Sequence, residues 1–116
     1  HISLANSFVN KKVDLTSTAA TVLYTVPDAS TAIIKSILVS EDSGNADTIT
    51  VTITDTSDAV FSLFKTKAIS ANATTELLTA PLVLQQKEVL KVTAATANRL
   101  HVVLSALESK PREVIT

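Results

Sequence analysis

TAIIKSILVSEDSGNADTITVTIT, residues 31–54, is the stretch whose reading decides the fold. Its closing run, TITVTIT over 48–54, puts Ile49, Val51 and Ile53 on one side of an extended chain and Thr48, Thr50, Thr52 and Thr54 on the other, because side chains of a strand alternate faces. That is the pattern of a strand with one buried face. The run before it, AIIKSILVSE over 32–41, is almost continuously apolar, with Ile33, Ile37 and Val39 on one side and Ile34 and Leu38 on the other. A strand apolar on both faces is expected in the middle of a sheet, or covered twice. The polar run DSGNAD, residues 42–47, reads as the hairpin turn between the two.

Working outward, the same alternation recurs. Val22, Tyr24 and Val26 alternate with Thr21, Leu23 and Thr25, and Pro27-Asp28-Ala29-Ser30 then reads as a turn with Pro pre-set for its second position. Tyr24 is the only Tyr; it is expected to bury its ring and send its hydroxyl to a backbone partner. Asp55-Thr56-Ser57-Asp58 predicts a hairpin from TITVTIT into AVFSLFKTK, with Phe61 and Leu63 on one face and Val60, Ser62 and Phe64 on the other. A short strand follows at 74–78, then a break at Pro81 and an apolar patch at 82–84, and 89–93 is expected to form a hairpin with 99–107 through the turn at 94–98. In that last strand Leu100, Val102, Leu104 and Ala106 oppose His101, Val103, Ser105 and Leu107. Residues 10–15 can extend as a further strand, with Val13 and Leu15 facing inward. The expected fold is all-β, an antiparallel β-sandwich of about eight strands, jelly-roll or Ig-like. Residues 1–9 form an extended arm, 10–108 the sandwich domain, and 109–116 a charged, Pro-interrupted tail.

Composition supports one domain. The 116 residues are 46% hydrophobic and 18% charged, which argues against disorder, while aromatics at 3% leave an aliphatic core of Val, Ile, Leu and Ala. Burying one such side chain is worth roughly 1.5–3 kcal/mol, so a domain this size outweighs its ordering entropy narrowly, and support from neighbouring subunits is expected. A single Gly forces turns onto Asn, Asp, Ser and Ala, which adopt tight conformations less cheaply. The net charge of −1 has no basic field for nucleic acid. Without Cys there is no disulfide and no thiolate site. No apolar run approaches the roughly 18 residues of a membrane-spanning helix, and no signal peptide pattern opens the chain. The first residue is His1 rather than Met, so the chain is expected to start just after its initiator or to be trimmed.

Reactive chemistry is thinly represented. His101 has no nucleophile elbow or Gly-rich oxyanion loop to work with, and reads as a strand His at solvent or a subunit contact. DSGNAD offers oxygen ligands at short spacing but lacks the twelfth-position Glu of an EF-hand. Asn72-Ala73-Thr74 matches the glycosylation acceptor pattern, a triplet common by chance in Thr-rich chains. Paired carboxylates for sugar cleavage have nothing to fix their separation, and the few aromatics make a sugar-stacking platform hard to build. The reading therefore assigns no catalytic residue, cofactor or metal. Its interaction residues are the apolar side chains of the arm, Ile2, Leu4, Phe8 and Val9.

Four segments taken together carry a family resemblance. T-x-x-T-x-L-Y-T-V-P at 18–27, A-I-I-K-S-I at 32–37, P-L-V-L-x-x-x-x-V-L-K-V-T-A at 81–94 and A-N-x-L-H-V-V-L-S-x-L-E at 97–108 resemble small β-sandwich virion structural proteins of tailed bacteriophages. The resemblance spans about residues 16–108. It implies a protein without enzymatic activity or cofactor, located in the virion and contacting other virion proteins in symmetric copies. The leading expectation is a capsid decoration, or cement, protein that forms trimers or rings and meets the major capsid protein. A neck, tail, baseplate or fibre-attachment component is the second expectation, and a secreted lectin-like module the third.

Overall fold

The alternating pattern folds as nine strands. The computed structural model describes the backbone of residues 2–113 and the side chains of residues 5–110. In chain order the strands are β1 (Ile2–Asp14), β2 (Thr21–Thr25), β3 (Thr31–Glu41), β4 (Asp47–Thr54), β5 (Val60–Ile69), β6 (Thr74–Glu76), β7 (Leu82–Leu84), β8 (Val89–Ala94) and β9 (Leu100–Glu113). Among the described residues there is no helix.

The strands form two antiparallel sheets. The first runs β1-β9-β3, with β6 and β7 end to end along the far edge of β3; the second runs β2-β8-β4-β5. Counting β6 and β7 as one interrupted strand gives two four-stranded sheets, and the chain changes sheet at nearly every connection. That is the jelly-roll order, which selects between the two expected sandwich types. Only β4 and β5 follow each other as a hairpin of paired neighbours. The turns at 42–47 and 94–98, expected to close hairpins, are instead corners between sheets: β3 pairs with β9, β6 and β7, while β4 pairs with β8 and β5. A polar turn specifies that the chain reverses, not which strand becomes its neighbour.

Bulges reset two of the expected face assignments. A register shift between Ile34 and Ser36 inserts Lys35 as an unpaired residue, so Ala32 and Ile34 point inward before it and Ile37, Val39 and Glu41 after it. Ile33 and Leu38 are left on the outer face. In β5 a shift between the partners of Val51 and Thr52 sets Phe64 opposite Val51 and Phe61 opposite Ile53. Directly opposed residues share a face, so Phe61 and Phe64 lie on the same side, not on opposite sides as strict alternation predicts.

The core between the sheets is aliphatic. Ile34, Ile37, Val39, Ile49, Val51, Leu90, Val92, Leu100, Val102 and Leu104 have no measurable exposure. With one Gly to spend, the turns place Ala29, Asp58, Asn72, Lys87 and Asn98 at positive φ, and even Thr66, in the bulged edge strand β5, takes φ 50°. A β-branched residue there is strained.

The two ends of the chain depart from the expected arm and tail. Residues 2–9 continue without a break into the rest of β1, and the segment expected as a tail from 109 continues β9 to Glu113; the two pair in register from Ile2 opposite Glu113 to Asp14 opposite His101. β3 stops pairing with β9 at Thr31 opposite Ser109, so residues 2–5 and 110–113 form a two-stranded ribbon beyond the sheet. The molecule is accordingly long, 58 × 27 × 24 Å. Residues 114–116 lie outside the described residues.

Candidate interaction surface

Three carboxylates hold the frame on which the surface is built. Glu41 follows Ile37 and Val39 on the inward face of β3 and is only 2% exposed. Its Oε2 accepts from the Ser43 N–H (2.8 Å) and hydroxyl (2.5 Å), and its Oε1 from the N–H groups of Gly44 (3.0 Å), Asn45 (3.1 Å) and Asn72 (3.1 Å). One carboxylate thus ties the β3–β4 corner to the turn before β6. Burial pushes its pKa up, but the bonds from Ser43, Asn72 and Gly44 outweigh burial and lower it to about 2. DSGNAD is therefore shaped around an internal anion. Among the described residues no group of three or more His, Asp or Glu is placed to hold a metal ion.

Glu76 works at the gap between β6 and β7. It accepts from the Ser36 hydroxyl and from the N–H groups of Ile37 (2.8 Å) and Leu78 (3.2 Å), replacing the ladder that the interrupted strand cannot supply. Burial opposes ionisation there, and the hydrogen bonds, that of Ser36 first, prevail and lower its pKa. On the opposite side Tyr24 of β2 donates its hydroxyl to Glu108 Oε2 of β9 at 2.5 Å. Its partner is a carboxylate in the facing sheet, not the expected backbone group. Desolvation and the hydrogen bond to Glu108 both push the phenol pKa up. His101 stands on the outer face between Asp14 (Nε2 to Oδ1, 3.1 Å) and Asp42 (Nδ1 to Oδ2, 3.5 Å), joining β1 and the β3–β4 corner to β9.

The outer face of the first sheet carries the feature that sequence reasoning missed. Cross-strand register sets Phe8 opposite Leu107, Leu107 opposite Ile33, and Ile33 opposite Val83. The four side chains form one apolar row across β1, β9, β3 and β7. Phe8 is 84% exposed and Val83 53%. Past a polar row of Asn10, Ser105 and Ser36, four residues along β1 from Phe8, a second row with an apolar middle reads Lys12, Val103, Leu38, Glu76, and a third, Asp14, His101, Ser40, Thr74, ends the face. A shallow cleft of about 240 Å³ lies beside the β1–β9 seam at Lys12, Asp14, His101 and Val103.

Of the expected arm residues, Phe8 is in this row, whereas Val9 points the other way and packs against the core. Ile2 and Leu4 lie in β1 by their backbone, and their side chains fall outside the described residues. The sequence held a signal for the row, since Ile33, Leu38, Val103 and Leu107 are apolar at outward positions of strands whose inward positions are apolar too. What was lacking was the order of the strands.

No protein-family model matches the chain, and neither does any curated protein sequence. Among solved structures it is similar to a chain of Bacillus endospore appendages, described as a family of disulfide-linked pili, with a TM-score of 0.58 and 11% identity over 95% of this chain and 89% of that one. A chain of the capsid asymmetric unit of cyanophage Pam1 aligns over 94% of this chain and 84% of its own, at 15% identity, but its TM-score of 0.33 carries no argument. At such identity the first likeness is one of fold: this chain shares its β-sandwich with an appendage subunit along nearly its whole length.

Proposed function

We propose that the protein is a non-enzymatic structural subunit of a virion, acting as a capsid decoration protein that binds the major capsid protein and copies of itself in symmetric contacts. The observation that carries this reading is the β1–β9 ribbon, which runs beyond the sandwich by four residues on each strand, or roughly 13 Å. An isolated two-stranded ribbon is marginal in water, so one built at this length is suited to lie against another surface. The resemblance carried by residues 18–27, 32–37, 81–94 and 97–108 supports the virion setting, and those segments supply β2, β7, β8 and much of β3 and β9. The appendage chain of like fold is described as disulfide-linked; this chain has no Cys, so its assembly rests on non-covalent contacts.

Counting copies in the native particle tests the reading. Hundreds per particle are expected. Six or twelve would overturn decoration in favour of a neck or tail adaptor. Removing residues 1–5 is expected to leave a folded domain that no longer binds particles; undiminished binding would show that the ribbon is not the contact.

A further inference from the structure

The rows on the outer face of the first sheet have an order that suits one partner. Read from β1 to the far edge of β3, the first is Phe8, Leu107, Ile33, Val83 and the second Lys12, Val103, Leu38, Glu76. The second row is cationic at one end and anionic at the other. Both rows are apolar in the middle, and the polar row of Asn10, Ser105 and Ser36 lies between them. A second copy laid face to face and related by a two-fold axis parallel to the strands reverses the strand order while keeping each row over itself. Phe8 then lies over Val83, Leu107 over Ile33, Val103 over Leu38 and Lys12 over Glu76. In the third row Asp14 meets Thr74 and His101 meets Ser40, so no like charges are opposed. The other in-plane axis, across the strands and through the Asn10, Ser105 and Ser36 row, would lay Phe8 over Lys12 and Val83 over Glu76, leaving both charges without an opposite partner. Charge complementarity therefore selects the first axis.

From this we infer that the protein pairs with a second copy through the outer face of the β1-β9-β3-β6/β7 sheet, about a two-fold axis parallel to its strands. The symmetry makes each contact occur twice, including two Lys12–Glu76 ion pairs. The stacking is the aligned sheet packing of sandwiches, with sheets about 10 Å apart. It supplies the second cover that β3, apolar on both faces, otherwise lacks. Four strands at about 4.8 Å and six to eight residues of length give a contact on the order of 500 Å² in projection, below the roughly 800 Å² per partner of a standard stable interface. The pair is therefore weak in isolation, with a Kd on the order of micromolar or above, and gains strength where many copies are held close together. It goes beyond the decoration role: a chain that stays single in solution would remove the pair and leave that role intact, while a low copy number in the particle would do the reverse.

The test uses the purified full chain. Sedimentation equilibrium is expected to show a reversible monomer–dimer equilibrium; a monomer up to millimolar concentration, or a trimer, overturns the pairing. Phe8→Asp, at an exposed position that folding does not need, is expected to weaken the dimer at least about tenfold, and Lys12→Glu, which sets two carboxylates together, by several-fold. A dimer indifferent to both uses another surface. Because the chain has no Cys, single cysteines report the register. A mixture of Phe8→Cys and Val83→Cys proteins treated with a short bis-maleimide is expected to give the mixed cross-linked dimer. The Phe8→Cys protein alone is not expected to cross-link, since its two thiols would stand roughly 14 Å apart across the sheet. Efficient cross-linking of Phe8→Cys to itself, or none in the mixture, overturns the proposed axis.

Discussion

The two sheets of this sandwich turn different faces to water. The second sheet shows Thr50, Thr52 and Thr93 with Lys91 and Val89 between its edges, and its exposed large apolar residues, Val22, Val60 and Phe61, stand on the edge strands β2 and β5. The first sheet sets Leu107, Ile33, Val103 and Leu38 in its middle, flanked by Phe8 and Val83. Thr keeps the strand preference of a β-branched residue and gives a hydroxyl to solvent; Val, Leu and Ile keep the preference and leave their apolar surface exposed. The difference therefore concerns what covers the sheets, since both fold equally well as strands. The first sheet, with aliphatic side chains among the polar ones on its outer side as well, is the one suited to take a cover.

The comparison can be broken along a single strand. Leu104 faces inward with no exposure and Val103 faces outward; Leu104→Ala is expected to cost about 2–5 kcal/mol of unfolding free energy and Val103→Ala less than about 1 kcal/mol in the monomer. Urea denaturation of both at low protein concentration checks this. Equal losses would mean that the outer face is as buried as the core.

Acid is expected to act next, at the corner between the sheets. The pKa of Glu41 is lowered from 4.5 to about 2, so the stability it contributes is fully present above pH 4.5 and is lost as pH falls from there toward about 2. Asp55, whose pKa is lowered by bonds from Ser57 and Ala59, and Glu76 act in the same direction. Glu41→Gln is expected to lower the melting temperature at neutral pH and to flatten its fall with acid. An unchanged acid limb would remove Glu41 from the account.

Alkali reports the link across the sheets. The pKa of Tyr24 is raised by burial and by Glu108, so the stability tied to its proton is present below its ordinary value near 10 and is lost as pH rises above it. As the only Tyr, it can be followed by absorbance: ionisation is expected to wait for alkaline unfolding. Tyr24→Phe is expected to cost about 1.5–3 kcal/mol, the range for a hydrogen bond to a charged group. The smallest effect belongs to the edge of the second sheet. Thr66→Gly relieves the positive φ at the bulge and is expected to add on the order of 1 kcal/mol; a loss would mean that the Thr66 hydroxyl bond to the Lys65 carbonyl, at 2.7 Å, outweighs the strain.

The strands themselves were legible because period-two alternation is a local property, and TITVTIT behaves in the structure as it reads in the sequence. The corners were not legible. DSGNAD has the composition of a hairpin turn, yet its geometry follows from Glu41, a charge at an inward position two residues after Val39. That misplaced charge was the available signal. Lys35 and the bulge of β5 shifted the face assignments by one residue, an effect no count of alternation detects. Tyr24 and Glu108 are 84 residues apart, and the apolar row draws on four strands distant in sequence, so both depend on topology. The fold class was written in the chain; the surface emerged only when the strands were set in order.

The pairing of Ile2 with Glu113 brings both described ends of the backbone out at one tip, side by side. Tension applied between them would load the antiparallel ladder one rung at a time from that tip inward, the geometry in which hydrogen bonds yield singly. Force applied across the flat of the sheets meets no such seam. A subunit of this design withstands pressure from its neighbours far better than it withstands having its two ends drawn apart.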